Sequence, residues 1–422
     1  MKRFLNVLAL ATLVGGGMGL AAPVALEKLV AETVATHPEV QFYESQIAVA
    51  HGEGRDSTTL QNPQLQTSIG TWRVKDLVGG GLSDGPAWTV TLSQTFEWPG
   101  RMALRRAIAE KDVELARLGL EEMKLKLAGD VRMAAWRVVA AQQRVRAAAE
   151  VAQRFQSLAD VLLQRDPAGA APRLEAQLIR GTALTLGVQA TSARREEREA
   201  RFLLNQLRGA APEEAVEIST NSPEMGESLN MERMLSLARE SNFALRARMV
   251  EVEQQGFEVK LARHERWPSI TVAPYYQHQR TETREQQYGL GISLPLPVWN
   301  RNKGKIEAAE ARRVQAEALL RAEVRKLEQE VASHVSACQV YLEELAKWPP
   351  DTLAAFKASA EEADQHYRLG ALDVSTYTAL QTQYLESVNA VLDSQLGAIE
   401  ARAQLEQLIG KPMAEVGGAS GK

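Results

Sequence analysis

A single cysteine, Cys338, in 422 residues rules out an internal disulfide and any paired-cysteine metal knuckle. Histidine is also sparse: six residues, at 37, 51, 264, 278, 334 and 366, none three or four positions from another, so a zinc or copper site on a helix face is not indicated. No stretch after residue 21 approaches the ~18 consecutive apolar residues of a membrane-crossing helix. Aromatics are only 5% of the chain, while Ala, Leu, Glu, Gln and Arg fill long tracts, the composition of extended helices rather than of a compact mixed domain. The net charge of −4 lacks the basic excess of a polyanion binder, so nucleic acid is not an expected partner.

Catalytic patterns are equally scarce. The glycines of "VGGGLSDG" carry no following Lys-Ser/Thr, so they form no phosphate cradle. Arg194, Arg195 and Arg198 alternate with Glu196, Glu197 and Glu199, the pattern of a solvated helix face. No nucleophile, acid pair or cofactor motif emerges, and the chain reads as neither an enzyme nor a cofactor protein.

The first residues, "MKRFLNVLALATLVGGGMGLAAPVAL", place Lys2 and Arg3 before an apolar run and small residues at Gly19–Ala21, which predicts an export signal over 1–21. Cleavage there leaves 47 basic against 53 acidic residues, a net −6. With Cys338 far from that site, attachment of a lipid to an N-terminal cysteine is unavailable.

The chain repeats itself. "ALEKLVAETVATHPEV" at 25–40 is similar to "NMERMLSLARESNFAL" at 230–245, and Asn62-Pro63 corresponds to Trp267-Pro268, both at an offset of 205. "SQTFEWPGR" at 93–101 aligns with "SLPLPVWNR" at 293–301 at an offset of 200. Such a period is too long for a solenoid and predicts two copies of one unit: helix, strand, strand, long helix, turn, helix. The first copy is expected over 22–208, with strands at about 64–72 and 87–96 and a helical hairpin at 101–208 turning near 165–173. A linker at 209–229 leads to the second copy over 230–410, with strands at about 269–278 and 286–296 and a hairpin at 302–410 turning near 368–375. Residues 411–422 read as a disordered tail.

Trp88, Val90, Leu92 and Phe96 alternate with Thr89, Thr91, Ser93 and Thr95, and Tyr288, Leu290, Ile292 and Leu294 alternate with Gly289, Gly291, Ser293 and Pro295. One face suits an apolar environment and the other water, a pattern that fits a half-buried sheet of a soluble protein and a transmembrane barrel strand equally well. Pro274, inside a partner strand, calls for a bulge or an edge position. In the helix from 102, Leu127, Val131, Ala134, Val138, Ala141, Val145, Ala148, Ala152, Phe155, Ala159 and Leu162 follow a 4-3 spacing, a coiled-coil seam. Roughly 60 such residues make a rod of about 90 Å. The matching seam from Ile306 passes through Leu327, Val331, His334 and Cys338 and is broken at Trp348-Pro349-Pro350. Gly169 and Gly370 mark the turns, and Asp373 or Ser375 is suited to cap the return helix.

"SQTFEWPGRMALRRAIAEK", "GISLPLPVWNRNKGKIEAAEA" and "YRLGALDVSTYTALQTQYLES" together resemble the TolC-type outer-membrane efflux protein family over nearly the whole mature chain. The resemblance implies a mainly α fold with a membrane β-barrel portion. Three copies would each give four strands to a twelve-stranded barrel and their helices to a periplasmic tunnel of a Gram-negative bacterium. It implies a passive conduit in contact with outer-membrane lipid and without cofactor or resident metal. A proton-driven inner-membrane pump would be joined to it through a periplasmic adaptor (membrane fusion) protein. Adaptor contact would fall at the tips, Arg165, Gly169, Arg368, Leu369, Gly370 and Ala371, and the barrel would pass into the tunnel at Pro99, Gly100, Asn300 and Arg301. Where some members carry aspartate rings beyond the second tip, this chain has Thr376 and Ala379, with Asp373 at another helical phase. "PLPVWNRNKGKI" looks most like the subgroup serving heavy-metal cation exporters.

Ring closure also follows from elementary physics. Four strands cannot close a barrel, and about 10 unpaired backbone groups on an open edge in lipid, at several kcal/mol each, would cost tens of kcal/mol. The alternative from another class is a soluble periplasmic coiled-coil adaptor, which needs one helical hairpin and has no use for two-faced strands.

Overall fold

A computed structural model describes residues 24–75, 82–164, 170–219, 229–280, 284–349 and 351–413. The export segment 1–21, the tip residues Arg165 and Gly169 and the tail beyond 413 lie outside the described residues.

Chain order displays the duplication directly. Helices α1 (Leu26–Thr36) and α2 (Pro38–Ser57) are followed by strands β2 (Gln64–Lys75) and β3 (Leu82–Phe96), then by helices α3 (Arg101–Gln164) and α4 (Ala170–Arg208). The second copy runs α5 (Met231–Ser241), α6 (Phe243–His264), β5 (Ile270–Arg280), β6 (Arg284–Ser293), α7 (Lys303–Ala346), α8 (Thr352–Arg368) and α9 (Val374–Ile409). Two short strands, β1 (Val24–Ala25) and β4 (Ile218–Ser219), pair in parallel, so the stretch 209–229 holds a strand as well as connection. The α1–α2 break recurs as the α5–α6 break 205 residues later, and both second helices are capped by the residue at the break. The His37 imidazole accepts from Glu39 N–H at 3.3 Å, and the Asn242 amide oxygen accepts from Leu245 N–H at 2.7 Å.

The contacts divide the chain into two units. One comprises Met1–Thr33, Ala134–Glu224 and Asp351–Leu392, and the other Val34–Met133, Met225–Pro350 and Asp393–Lys422. In the first, α3 presents its expected seam, with Val138, Phe155 and Ala159 all buried. A second stripe, Ala140, Ala147, Val151 and Leu158, is buried as well, because a helix flanked by more than one neighbour needs more than one apolar face. The buried Asn205 amide donates to the carbonyls of Ala211, Pro212 and Glu214, each at 3.0 Å, which ties down the chain leaving α4.

In the second unit α5, α6, α7 and the end of α9 share a core of Met234, Ala238, Leu245, Leu327, Val331, Val335, Leu405 and Ile409. The seam position expected of His334 belongs instead to Val335. From Val331 the next position on that face lies four residues on, and His334 is left half-buried beside it. Cys338 is 3% exposed in this seam, and burial pushes its thiol up to about 11. A folded-state value above the ordinary 9.0 means that the seam favours the neutral thiol. Its contribution is complete below pH 9 and is lost as pH rises through about 11. Iodoacetamide at pH 7.5 is therefore expected to leave Cys338 unlabelled in the folded protein and to label it fully in urea. Rapid native labelling would contradict the seam assignment.

The strands form one four-stranded antiparallel sheet in the order β2-β3-β5-β6, so each repeat gives a hairpin and the hairpins meet at β3 and β5. Pro274 therefore sits in an interior strand, not at an edge. The ladder to β3 shows no pairing at Leu92 and Ser93 and resumes in the same register at Gln94, so the missing N–H interrupts pairing without a bulge. β6 ends at Ser293, leaving Leu294 one residue beyond it, where Pro295 and Pro297 follow without N–H groups to extend a ladder.

Candidate functional site

Register determines which side chains share a face of the sheet. Leu65, Thr67 and Ile69 on β2 stand opposite Leu92, Val90 and Trp88 on β3. Val90 stands opposite Tyr276 and Phe96 opposite Ile270 on β5, while Val272, Pro274 and Tyr276 stand opposite Ile292, Leu290 and Tyr288 on β6. One face is thus mainly apolar across four strands, interrupted by Thr67 and by Gln94 opposite Val272, and several of its members are exposed within the single chain: Ile69 is 87% exposed and Ile292 69%. Trp88 packs on Tyr276 at 5.3 Å and His278 at 5.7 Å, and beyond this aromatic row Arg73 pairs with Asp84 at 3.5 Å, where the apolar band ends.

The other face carries Gln64, Gln66, Ser68, Thr89, Thr91, Ser93, Thr95, Thr271, Tyr275, Gln277, Gln287 and Ser293. Thr95 and Thr271 share a hydroxyl–hydroxyl hydrogen bond of 2.9 Å, and the Gln287 amide donates to the Tyr275 hydroxyl at 3.2 Å. The Tyr275 ring lies over Gly289, whose Cβ would come within 2.7 Å of its hydroxyl. Between these rows the face carries hydroxyls and amides and no charge.

The junction below the sheet is built around Arg101, whose importance composition and spacing did not reveal. Gly100, at φ +91°, turns the chain from β3 into α3, where an added Cβ would come within 3.2 Å of the His264 ring. Arg101 is then buried, donating to the Ser269 hydroxyl at 3.1 Å, to the His264 carbonyl at 3.3 Å and to the Trp267 carbonyl. Trp98 stacks on Trp267 at 5.5 Å, and Arg105 pairs with Glu97 at 2.6 Å. Arg101 thereby fastens the strand-to-helix corner of the first repeat to the helix-to-strand corner of the second. After β6, Asn302 adopts a left-handed conformation at φ +61° and donates to the Ala262 carbonyl at 2.8 Å, while its own N–H donates to the Asn300 side chain at 2.9 Å. Pro99, Asn300 and Arg301 are exposed.

At the second tip, α8 ends in a six-to-one hydrogen bond from Ala371 N–H to the His366 carbonyl, 2.9 Å, with a second from Gly370 N–H to Tyr367, 2.9 Å. Gly370 at φ +74° supplies the left-handed residue this ending requires. Asp373 caps α9, accepting from Ser375 N–H at 2.9 Å, Thr376 N–H at 3.0 Å and the Thr376 hydroxyl at 2.7 Å. The Thr376 hydroxyl, then the backbone donors, hold its carboxyl below the usual range, so this carboxylate is engaged in the cap. Behind the turn Tyr377 is fully buried, stacked on Tyr367 at 4.8 Å and packed on Phe155 at 5.0 Å, with its hydroxyl on Asp364 at 3.1 Å. Arg368, paired with Asp364 at 2.9 Å, and Leu369, 80% exposed, form the outer surface with Gly370 and Ala371. Among the described residues no group of acidic, histidine and cysteine side chains is arranged to hold a metal ion.

With this geometry in hand, residues 234–411 match the family described as "Outer membrane efflux protein". The cobalt-zinc-cadmium resistance protein CzcC of Cupriavidus metallidurans is 22% identical over 289 residues, 68% of this chain and 66% of that relative, so the chain spans just under two thirds of its length. Among solved structures, CusC superposes with a TM-score of 0.71 at 14% identity, covering 92% of each chain. The outer-membrane channel OprN does so at 0.72 and 15%, over 91% of this chain and 89% of that one. These two likenesses establish the fold.

Proposed function

We propose that this chain, which matches the outer membrane efflux protein family over residues 234–411, is the outer-membrane channel of a tripartite export system. The two-faced sheet with unpaired outer strands carries the reading. An apolar face in lipid needs every backbone group paired, and only further copies that continue β2 and β6 provide this. Three copies supply twelve strands, and the hydroxyl and amide face then lines a water-filled passage. A lining mainly of hydroxyls and amides suits hydrated solutes, and selection is left to the adaptor and pump. Resemblance to CzcC favours heavy-metal cations as the exported class, with this chain a conduit that binds none of them tightly. A soluble adaptor has no role for the apolar sheet face.

Gly370→Trp tests the tip. A Cβ there meets nothing within 4 Å, so the bulky ring projects outward and the cost within the chain is the strained φ, about 1–2 kcal/mol. The variant should reach the outer membrane at normal levels, yet leave a deletion strain as sensitive to zinc, cobalt and cadmium as the empty vector. Full resistance would remove the tip from adaptor contact. Resistance unchanged by deletion of the wild-type gene would remove these cations from the substrate class.

A further inference from the structure

We propose that Arg301 is an intersubunit clamp: its guanidinium donates to the backbone around Asn62 of the partner subunit, repeating between copies what Arg101 does within one. The inference rests on the ring closure proposed above and specifies its contact.

The duplication supplies the template. Arg101 and Arg301 align in sequence at an offset of 200, and each lies between an outgoing strand and the body of its long helix: Arg101 opens α3, and Arg301 precedes the first residue of α7 by two. Arg101 follows β3, and the strand beside β3 is β5, so its guanidinium meets the corner that precedes β5: the carbonyls of His264 and Trp267 and the Ser269 hydroxyl. Arg301 follows β6, which is an edge. Its counterpart corner, 205 residues earlier, is Thr59, Asn62 and Gln64, which precedes β2, the opposite edge of the same sheet. A single chain cannot bring the two edges of an open four-stranded sheet together, and a ring of copies does so at every seam.

Two features of the chain agree. Arg101 is 7% exposed, whereas Arg301 is exposed and has no hydrogen bond or ion pair among the described residues, and Thr59, Asn62 and Gln64 are exposed too. The apolar side chains flanking the two half-sites are also uncovered: Trp299 is 96% exposed, Val298 59% and Leu60 53%. Register provides a separate check. Moving the Phe96–Ile270 pairing by the repeat offsets places Leu296 opposite Leu65 of the partner subunit, and four residues further Ile292 opposite Ile69 of the partner subunit. Both isoleucines lie on the apolar face, and the antiparallel alternation continues across the seam. A slip of one residue would set apolar against polar faces. In this arrangement the Gln64 side-chain oxygen stands where Ser269 supplies its hydroxyl.

The test uses the full chain purified from membranes, with cysteines introduced as Arg301→Cys and Asn62→Cys. The doubly substituted protein, oxidised with diamide, should give a reducible ladder of covalent dimers and trimers, and each single substitution should give none, because the ring meets itself head to tail. Arg301→Met should lower the temperature at which the assembly dissociates in detergent by at least 10 °C, and Arg301→Lys should recover part of it. Native mass measurement separates the failures. An assembly of several copies without the ladder, dissociating normally in Arg301→Met, overturns the clamp alone. A single copy for the wild-type protein overturns ring closure and the clamp with it.

Discussion

Leu92→Arg is expected to reduce assembled protein in the outer membrane to a few per cent of wild type, while Ser93→Arg assembles at near-normal levels and changes conductance instead. The two residues are neighbours on one strand and differ only in face. Leu92 stands opposite Leu65 in the apolar layer, and Ser93 opposite Gln64 in the polar one. A lipid-facing Arg at mid-depth costs about 2–4 kcal/mol, and a ring of three copies bears it three times. Quantifying heat-dissociable assemblies in membrane extracts compares the two. Equal yields would mean that the face assignment is inverted or that the sheet does not meet lipid.

Arg101→Met is the second large effect. The substitution keeps the side chain's length and apolar stem but removes every donor, leaving the carbonyls of His264 and Trp267 and the Ser269 hydroxyl without this partner. A buried polar group left unsatisfied costs about 1–3 kcal/mol, so the loss is large against ordinary stability. Lys at this position keeps the charge but not the fork that spans several acceptors, and should fall between. Arg106, exposed on the same helix, provides the control: Arg106→Met should leave the urea midpoint unmoved. Matching midpoints for Arg101→Met and Arg106→Met would show that the buried hydrogen bonds do not hold the junction.

These two residues were unequally visible in the sequence. Leu92 declares itself as a member of the apolar face, because a period of two over Trp88–Phe96 marks a strand with one apolar and one polar side, whatever covers the apolar one. The long helices were legible for the same reason, through seams such as Leu127, Val131, Ala134 and Val138. Arg101 looked like one more arginine in a basic helix start. Its function depends on strand order, since only β3 lying beside β5 brings it to the Trp267 corner, and order is a long-range property that local patterning does not encode. His334 and Val335 illustrate the limit within a helix, where adjacent residues compete for one seam position and packing decides. Pro274 illustrates it within a strand, where a neighbour tolerates an interrupted ladder. The cap of α9, by contrast, was legible to within two candidates, Asp373 and Ser375, because a short polar side chain after a tip glycine and before a helix has short-range work to do, and the hydrogen bonds give the role to Asp373.

Single-channel recording from the purified full chain in planar bilayers addresses the central claim most directly. A closed ring with a hydroxyl- and amide-lined interior should insert as discrete, ohmic conductance steps. Its cation preference should be modest and weaken as salt rises, because the net charge acts only through long-range potential. Folded protein that is released from membranes without detergent and never produces a step would contradict the conduit.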